Sequence, residues 1–118
     1  MQYLLMIYGS ETDGANLSPQ EMQSMYGKYM AVTQEMKARK VYIGGNPLQP
    51  TATATSVRVR DGQTLTTDGP FAETKEQLAG YYLLDCKNLD EAIEYAAKIP
   101  GAALGTIEVR PIRVMPGA

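Results

Sequence analysis

Residues 67–84 read Thr-Asp-Gly-Pro-Phe-Ala-Glu-Thr-Lys-Glu-Gln-Leu-Ala-Gly-Tyr-Tyr-Leu-Leu. The stretch begins with a tight turn, Asp68-Gly69-Pro70-Phe71, continues with a charged segment and ends in an apolar run. Asp, Gly and Pro favour turns because Asp bonds nearby backbone N–H groups, Gly adopts unusual φ angles and Pro fixes φ. We predict that Asp68 stabilises its own turn and that Phe71 docks against the protein and holds the loop in place.

Two segments carry apolar side chains at both of their alternating sets of positions. One is the predicted strand Tyr3–Tyr8 and the other is the predicted strand Gly80–Cys86, which follows the turn. Successive side chains of a strand point to opposite faces of its sheet. Each segment therefore predicts a strand that is buried on both sides.

The first predicted helix runs from Pro19 to about Arg39. Ser18 stands before it and Glu21 lies three residues after Ser18, which is the pattern of a capping box. We expect its core-facing positions to be Met22, Met25, Tyr26, Tyr29, Val32, Thr33 and Met36.

The second predicted helix follows Asn88 and ends near Lys98, before Pro100-Gly101. Asn88 and Glu91 repeat the capping spacing. We expect its buried stripe to consist of Leu89, Ala92, Ile93, Ala96 and Ala97.

A hairpin is predicted over residues 57–66, and two registers are open to it. A two-residue loop, Asp61-Gly62, places Leu65 on the face of Arg58 and Arg60. A three-residue loop pairs Val57 with Leu65 instead. We prefer the three-residue loop because the apolar face usually sets the register of a strand pair.

The remaining segments give weaker signals. A strand begins at Val41 and leads into Gly44-Gly45, where paired glycines predict a bulge or the close approach of another backbone. The last strand is predicted over residues 106–115, with Pro111 indicating an edge position or a bulge. Residues 9–17 are expected to form a loop and residues 50–55 an extended segment.

This order of elements predicts an α+β fold in a single domain over residues 1–118. Two β-α-β halves with an inserted β-hairpin form a ferredoxin-like sandwich, whose antiparallel sheet carries two helices on one face. The two strands that are apolar on both sides leave the other face in need of cover. We therefore predict a homodimer, a dimeric α+β barrel with sheets packed face to face, that buries roughly 2,000 Å² or more in total.

Composition excludes several functional classes. The 11 Lys and Arg residues are scattered and the net charge is −2, so we expect no direct binding to nucleic acid or to an anionic membrane. No apolar run approaches the ~20 residues of a membrane span, and the first residues lack the features of a signal peptide. The single cysteine suits a reducing compartment, and we expect a cytoplasmic protein.

The chain contains no histidine. This absence removes Ser-His and Cys-His catalysis and the commonest zinc sites. We predict no metal site and no cofactor. Cys86 has no histidine to activate it and is expected to be a small buried hydrophobe.

Candidate functional residues lie in the turn region and on the last strand. Asp68 and Glu73 are the candidate catalytic carboxylates, although Asp68 alternatively caps its turn. Lys75 pairs with Glu73 or contacts a polar ligand, and Phe71 is a candidate ligand contact.

Glu108 and Arg110 share one strand face and are expected to point into the barrel. There they pair with each other, pair with Asp68 or hold an anionic ligand. Tyr26 and Tyr29 occupy core positions or line a pocket, and Tyr29 is the candidate ligand donor.

The chain resembles the YCII-related family, in its DGPF subgroup. The matching segments cover nearly the whole chain: residues 3–9, 44–45, 48–50, 53–55, 57–62, 67–76, 80–82 and 107–111. The resemblance implies a dimeric α+β barrel in a bacterial cytoplasmic protein of largely unassigned function, often encoded beside extracytoplasmic-function sigma factors. A His-Asp pair suggested for YCII-type relatives has no counterpart here, because this chain has no histidine.

Two functions remain open. The first is a small-molecule-binding protein, or an enzyme that uses carboxylates for acid–base chemistry in a cleft between the Asp68 loop and the Glu108/Arg110 face. The second is a non-catalytic interaction module whose partner is related to a sigma factor. A concave polar pocket favours the first, and exposed apolar surface outside the dimer interface favours the second.

Overall fold

A computed structural model describes residues 1–117, and within them six strands form two separate antiparallel sheets. The larger sheet contains β1 (Gln2–Gly9), β2 (Tyr42–Pro47), β5 (Gln77–Asp85) and β6 (Thr106–Pro111), in the order β2-β5-β1-β6. The smaller sheet is the hairpin of β3 (Thr55–Arg60) and β4 (Gln63–Asp68).

Four helices connect these strands: α1 (Glu11–Ala15), α2 (Pro19–Ala38), α3 (Leu89–Lys98) and α4 (Gly101–Leu104). A short 3₁₀ helix, Thr51–Thr53, precedes β3. With the hairpin set aside, two β-α-β halves share one antiparallel sheet, whose first and third strands lie in the centre. The predicted α+β, ferredoxin-like fold with an inserted hairpin is confirmed.

The core lies between the four-stranded sheet and the two long helices. Tyr3, Leu5 and Ile7 of β1 are buried, as are Tyr82 and Leu84 of β5. These side chains pack with residues contributed by the helices, namely Val32, Met36, Ala92, Tyr95 and Ala96. The opposite face of the same strands is only partly buried in the single chain.

Helix α2 begins as predicted. The Ser18 hydroxyl accepts the Glu21 N–H at 3.1 Å and the Glu21 carboxylate accepts the Ser18 N–H at 3.2 Å, which completes the capping box. The predicted buried stripe is only partly correct, because Tyr26 is 64% exposed and Met22 is also exposed. None of the residues in the first half of α2 is fully buried.

Helix α3 is capped by Asn88 as predicted, but it faces the core through a different stripe. Leu89, Ile93 and Ala97 are exposed, and Tyr95 is buried beside the expected Ala92 and Ala96. Both stripes have helical spacing and share these two alanines. The stripe that contains the large side chain of Tyr95 is the one that faces the sheet, and Ile99, directly after the helix, is buried as well.

The hairpin register was predicted wrongly. Arg58 lies opposite Leu65 and Arg60 opposite Gln63, so the loop has two residues, not three. Asp61 and Gly62 have φ angles of 51° and 73°, as the primed turns that suit tight hairpins require. No face of this hairpin is buried, so an apolar face cannot set its register and the turn does so.

Several shorter segments also differ from the predictions. Residues 9–17 contain α1 and are not a plain loop, and residues 50–55 contain the 3₁₀ helix. Helix α4 was not predicted. The last strand ends at Pro111, well before residue 115.

Two predictions about special backbone positions are confirmed. The pairing of β2 with β5 shifts register between Tyr42 and Gly44, and a Cβ on Gly45 would lie 2.8 Å from the Tyr81 carbonyl oxygen. The paired glycines therefore accommodate both a bulge and a close backbone approach. Pro111 lies on β6, which is an edge strand of the sheet.

The hairpin projects away from the body of the protein. The radius of gyration is 16.3 Å, whereas a compact domain of this length has roughly 13–14 Å. The apolar side chains of the hairpin, including Val57, Val59 and Leu65, are exposed. This part of the chain therefore forms an arm with no core of its own.

Substitution of two glycines by alanine is expected to change stability in opposite directions. A Cβ on Gly105 would overlap the Tyr8 carbonyl oxygen, whereas a Cβ on Gly27 meets no atom within 4 Å on the exposed side of α2. Gly105→Ala should lower the free energy of unfolding by roughly 1–3 kcal/mol. Gly27→Ala should raise it by about 0.5–1 kcal/mol. Urea denaturation measures both, and equal effects would contradict the packing at Gly105.

Candidate functional site

A cleft of about 580 Å³ lies beside the first half of α2. Its walls come from six parts of the chain: the end of β1, α1, the first half of α2, the segment after β2, the start of β5 and helix α4. Apolar side chains dominate the lining, among them Leu17, Met22, Met25, Leu48, Leu78 and Leu104. The exposed Met22 and Tyr26 of α2 are thus walls of a cleft.

Glycine at two positions keeps the floor of the cleft close to the sheet. Gly105 lies directly against the backbone of Tyr8, and a Cβ on Gly101 would lie 2.9 Å from the Tyr29 hydroxyl oxygen. Both glycines line the cleft. Side chains here would push α4 away from β1 and alter the depth of the cleft.

Tyr29 places a phenol group in the lining of the cleft. Burial raises the pKa of its hydroxyl, and the nearby backbone N–H of Gly101 partly offsets this effect. Tyr29 therefore stays protonated at neutral pH and can donate a hydrogen bond. Tyr29 is the only residue of the predicted ligand-contact set that lines this cleft.

A second tyrosine, Tyr82, is engaged inside the core. The Thr33 hydroxyl donates to the Tyr29 carbonyl oxygen at 2.8 Å and lies 2.8 Å from the Tyr82 hydroxyl. Since the single proton of Thr33 is used, Tyr82 is the donor to Thr33. Burial raises the pKa of Tyr82, and its hydroxyl joins α2 to the sheet.

The carboxylate of Glu11 holds the rim of the cleft together. Thr51 donates its N–H to Glu11 Oε1 at 2.8 Å and its hydroxyl to Oε2 at 3.1 Å. The backbone N–H of Glu11 donates to Gln77 Oε1 at 3.0 Å. Three distant parts of the chain thus meet at Glu11, because Thr51 occupies both oxygens of its carboxylate and Gln77 accepts its backbone N–H.

The sequence predictions missed Glu11 and helix α1. A local signal was present, because Ser10 lies three residues before Asp13 and its hydroxyl accepts the Asp13 N–H at 3.3 Å. Acidic residues in the first turn, Glu11 and Asp13, are typical of a helix start. The long-range contact of Glu11 with Thr51 has no comparable local signal.

The predicted catalytic carboxylates lie outside the cleft lining. Asp68 and Glu73 are exposed, and neither takes part in the three ion pairs found within residues 1–117. Lys75 is likewise exposed and is not paired with Glu73 in that set. Their proposed roles therefore stay predictions, without a surrounding site in the single chain.

The turn at Asp68 is held by groups other than the Asp68 side chain. Gly69 donates its N–H to the Ala54 carbonyl oxygen at 2.7 Å, and the Ser56 hydroxyl donates to the Gly69 carbonyl oxygen at 2.9 Å. The residue two positions after Asp68 is Pro70, which has no N–H to offer. The hairpin strand β3 therefore stabilises this turn.

Phe71 does not dock as predicted. Its side chain is 76% exposed and lies beneath the Arg58 guanidinium, 5.0 Å from the carbon of that group to the ring centroid. Both residues line a shallow, open depression of about 620 Å³ on the hairpin. Phe71 therefore packs on the arm itself, through Arg58 of β3.

Glu108 and Arg110 pair with each other. Arg110 donates to Glu108 Oε2 at 2.8 Å on the face of β6 opposite Ile107 and Val109, which pack against the core. This agrees with the predicted pairing and with the predicted orientation toward the uncovered face. Neither the pair nor Asp68 lines the cleft beside α2 or the depression on the hairpin.

Other classes of site find little support in the described chain. Cys86 is buried, and burial raises the pKa of its thiol, as expected of an inert cysteine. Within residues 1–117, no group of three or more His, Cys, Asp or Glu side chains is arranged to hold a metal ion. None of the helices described there is both long and apolar enough to cross a bilayer.

The fold and the cleft define a ferredoxin-like α+β protein with a mainly apolar pocket beside its sheet. The model of the YCII-related domain matches residues 1–116, and the chain belongs to the YCII-related family. An uncharacterized protein of Rhizobium meliloti (strain 1021) is 38% identical over 115 residues, which cover 95% of this chain and 92% of that protein.

Proposed function

We propose that this protein binds a small molecule in the cleft between α1, the first half of α2 and α4. The observation that carries the proposal is the cleft itself. Its volume of about 580 Å³ and its largely apolar lining with a few polar groups are typical of ligand pockets. Tyr29 supplies one such polar group, a protonated hydroxyl.

The proposal concerns binding and assigns no reaction. The predicted acid–base residues Asp68 and Glu73 are exposed and lie outside the lining. A general acid or base acts only within hydrogen-bond reach of the reacting group. Among the ionisable groups that line the cleft, Glu11 already accepts two hydrogen bonds from Thr51. Asp13 and the tyrosines are the remaining groups that could act as an acid or a base there.

Filling the cleft is expected to abolish ligand binding. A metabolite library screened by thermal shift should contain compounds that raise the melting temperature of the wild-type protein by a few degrees. Ala15 lines the cleft and Ala31 is exposed elsewhere on α2. Ala15→Trp should remove the stabilisation, and Ala31→Trp, the matched control, should retain it. A library without any stabilising compound, or with hits unaffected by Ala15→Trp, would count against the cleft.

We also propose that the protein is a homodimer formed through the uncovered face of the sheet. This face presents four apolar side chains from the two central strands, Leu4, Met6, Tyr81 and Leu83. Asn46 donates to the Tyr81 hydroxyl on one side, and the Glu108–Arg110 pair lies on the other. A polar rim around an apolar centre is the usual anatomy of an interface.

A charge at the centre of this face should give monomers. Leu83→Arg places a cation where two sheets would meet, and burial of an unpaired charge is strongly unfavourable. Ile93→Arg is the matched control, since Ile93 is exposed on α3. Sedimentation at micromolar concentration should show dimers for the wild type and for Ile93→Arg, and monomers for Leu83→Arg. A monomeric, well-folded wild-type protein would refute the proposal.

A second candidate function is an interaction module, and the exposed arm is the observation that favours it. Val57, Val59 and Phe71 are exposed there, outside the sheet face that we assign to the dimer. The sequence Asp68-Gly69-Pro70-Phe71 also supports membership of the DGPF subgroup. For that subgroup we propose a bacterial cytoplasmic setting and a partner related to extracytoplasmic-function sigma factors.

Binding of a purified extracytoplasmic-function sigma factor from the source genome tests this second function. Val59→Asp should weaken the complex at least about tenfold if the arm is the contact, since each 1.4 kcal/mol corresponds to one decade of affinity. Ile93→Asp, at an exposed site on α3, should leave the complex unchanged. An absence of binding by the wild-type protein would remove this candidate.

A further inference from the structure

The charges that line the cleft are all negative. Glu11 and Asp13 contribute carboxylates. The described lining contains no lysine or arginine, although the chain has 11 of them. A ligand that carries a carboxylate or phosphate would therefore find no cation within the lining to neutralise it, and such uncompensated burial is unfavourable.

The charge of Glu11 is fixed in position. Both of its carboxylate oxygens accept hydrogen bonds from Thr51, so that the side chain cannot turn away from the cleft without losing them. A fixed carboxylate beside an apolar cavity repels anions and attracts cations more strongly than it would in bulk water. Asp13 lies two residues further along α1, is exposed and also lines the cleft, so that it adds a second negative charge to the lining.

Aromatic rings supply a further preference for positive charge. Tyr26 and Tyr29 both line the cleft. The face of a tyrosine ring attracts an ammonium group, and aromatic residues combined with carboxylates are a general arrangement for the recognition of alkylammonium ligands. The remaining lining is aliphatic or methionine, with Met22 and Met25 able to adapt to differently shaped apolar bodies.

We infer that the cleft selects apolar molecules that carry a positive charge, such as amines on an aliphatic or aromatic body, in preference to carboxylates of the same shape. This inference rests on the proposed function, because it concerns the ligand of the same cleft. It also departs from the expectation that Arg110 holds an anionic ligand, because Arg110 is paired with Glu108 and lies outside the lining.

Three naphthalene probes of nearly equal size test the inference. They are 2-naphthylmethylamine, a cation at pH 7, 2-acetonaphthone, which is neutral, and 2-naphthoic acid, an anion. Titration calorimetry of the full chain should rank the amine tightest and the acid weakest, with about a tenfold or larger difference in Kd between these two. The ketone measures the apolar contribution alone, and Ala15→Trp should weaken all three probes.

Charge-reversing variants locate the origin of the preference. Asp13→Lys should reduce the ratio of the two Kd values at least about tenfold, and Asp13→Asn should reduce it by less. Asp90→Lys is the matched control, because Asp90 is exposed in the first turn of α3 and outside the cleft lining. It should leave the ratio unchanged.

The outcomes separate this inference from the proposed function. If the acid or the ketone binds as tightly as the amine, at the site that Ala15→Trp blocks, the charge preference is overturned and the cleft remains a binding site. If no probe binds at millimolar concentration, both are overturned. If the amine is preferred but Asp13→Lys does not alter this preference, the preference originates outside the cleft. This result also overturns the inference.

Discussion

The antiparallel pairing of β1 with β5 is the interaction on which the rest of the structure depends. Tyr3 lies opposite Leu84 and Leu5 lies opposite Tyr82, and all four side chains are buried. Burial of one such side chain contributes about 1.5–3 kcal/mol, which is large relative to the net stability of a domain. Helices α2 and α3 pack against the face of the sheet that these four side chains form. The same alternation necessarily sends the intervening apolar side chains to the other face, which leaves that face uncovered.

The parts of the fold that the sequence predicts well are those with local physical causes. Ser18 and Glu21 cap α2 through contacts within one turn, and Gly45 marks a close backbone approach because a Cβ there would lie 2.8 Å from the Tyr81 carbonyl oxygen. The errors occur where a choice depends on tertiary packing. Two stripes of α3 have equal periodicity, and only contact with the sheet selects the one containing Tyr95. The hairpin register was predicted from burial of Val57 and Leu65, which does not take place.

The candidate site was less predictable than the fold because distant segments form it. Helical spacing identified Tyr29 as a residue of the core or a pocket, and it proves to line the cleft. Glu11 forms hydrogen bonds with Thr51, 40 positions away in the sequence, and with Gln77, 66 positions away. A local sequence pattern cannot predict contacts between such distant residues. The turn at Asp68 was predicted to be part of a site because its composition, Asp-Gly-Pro-Phe, is unusual. Its composition instead reflects the backbone geometry at the junction of the arm and β5, where Gly69 has a φ of 96°.

The arm has a consequence for how the molecule responds to thermal fluctuation. Its two strands are bonded to each other and to no third strand, and an isolated strand pair is only marginally stable in water. Opening of the arm therefore requires little free energy and leaves the four-stranded sheet undisturbed. We therefore expect the chain to open as two cooperative units with unequal opening free energies, and the amide hydrogens of β3 and β4 to exchange with solvent long before those of β1.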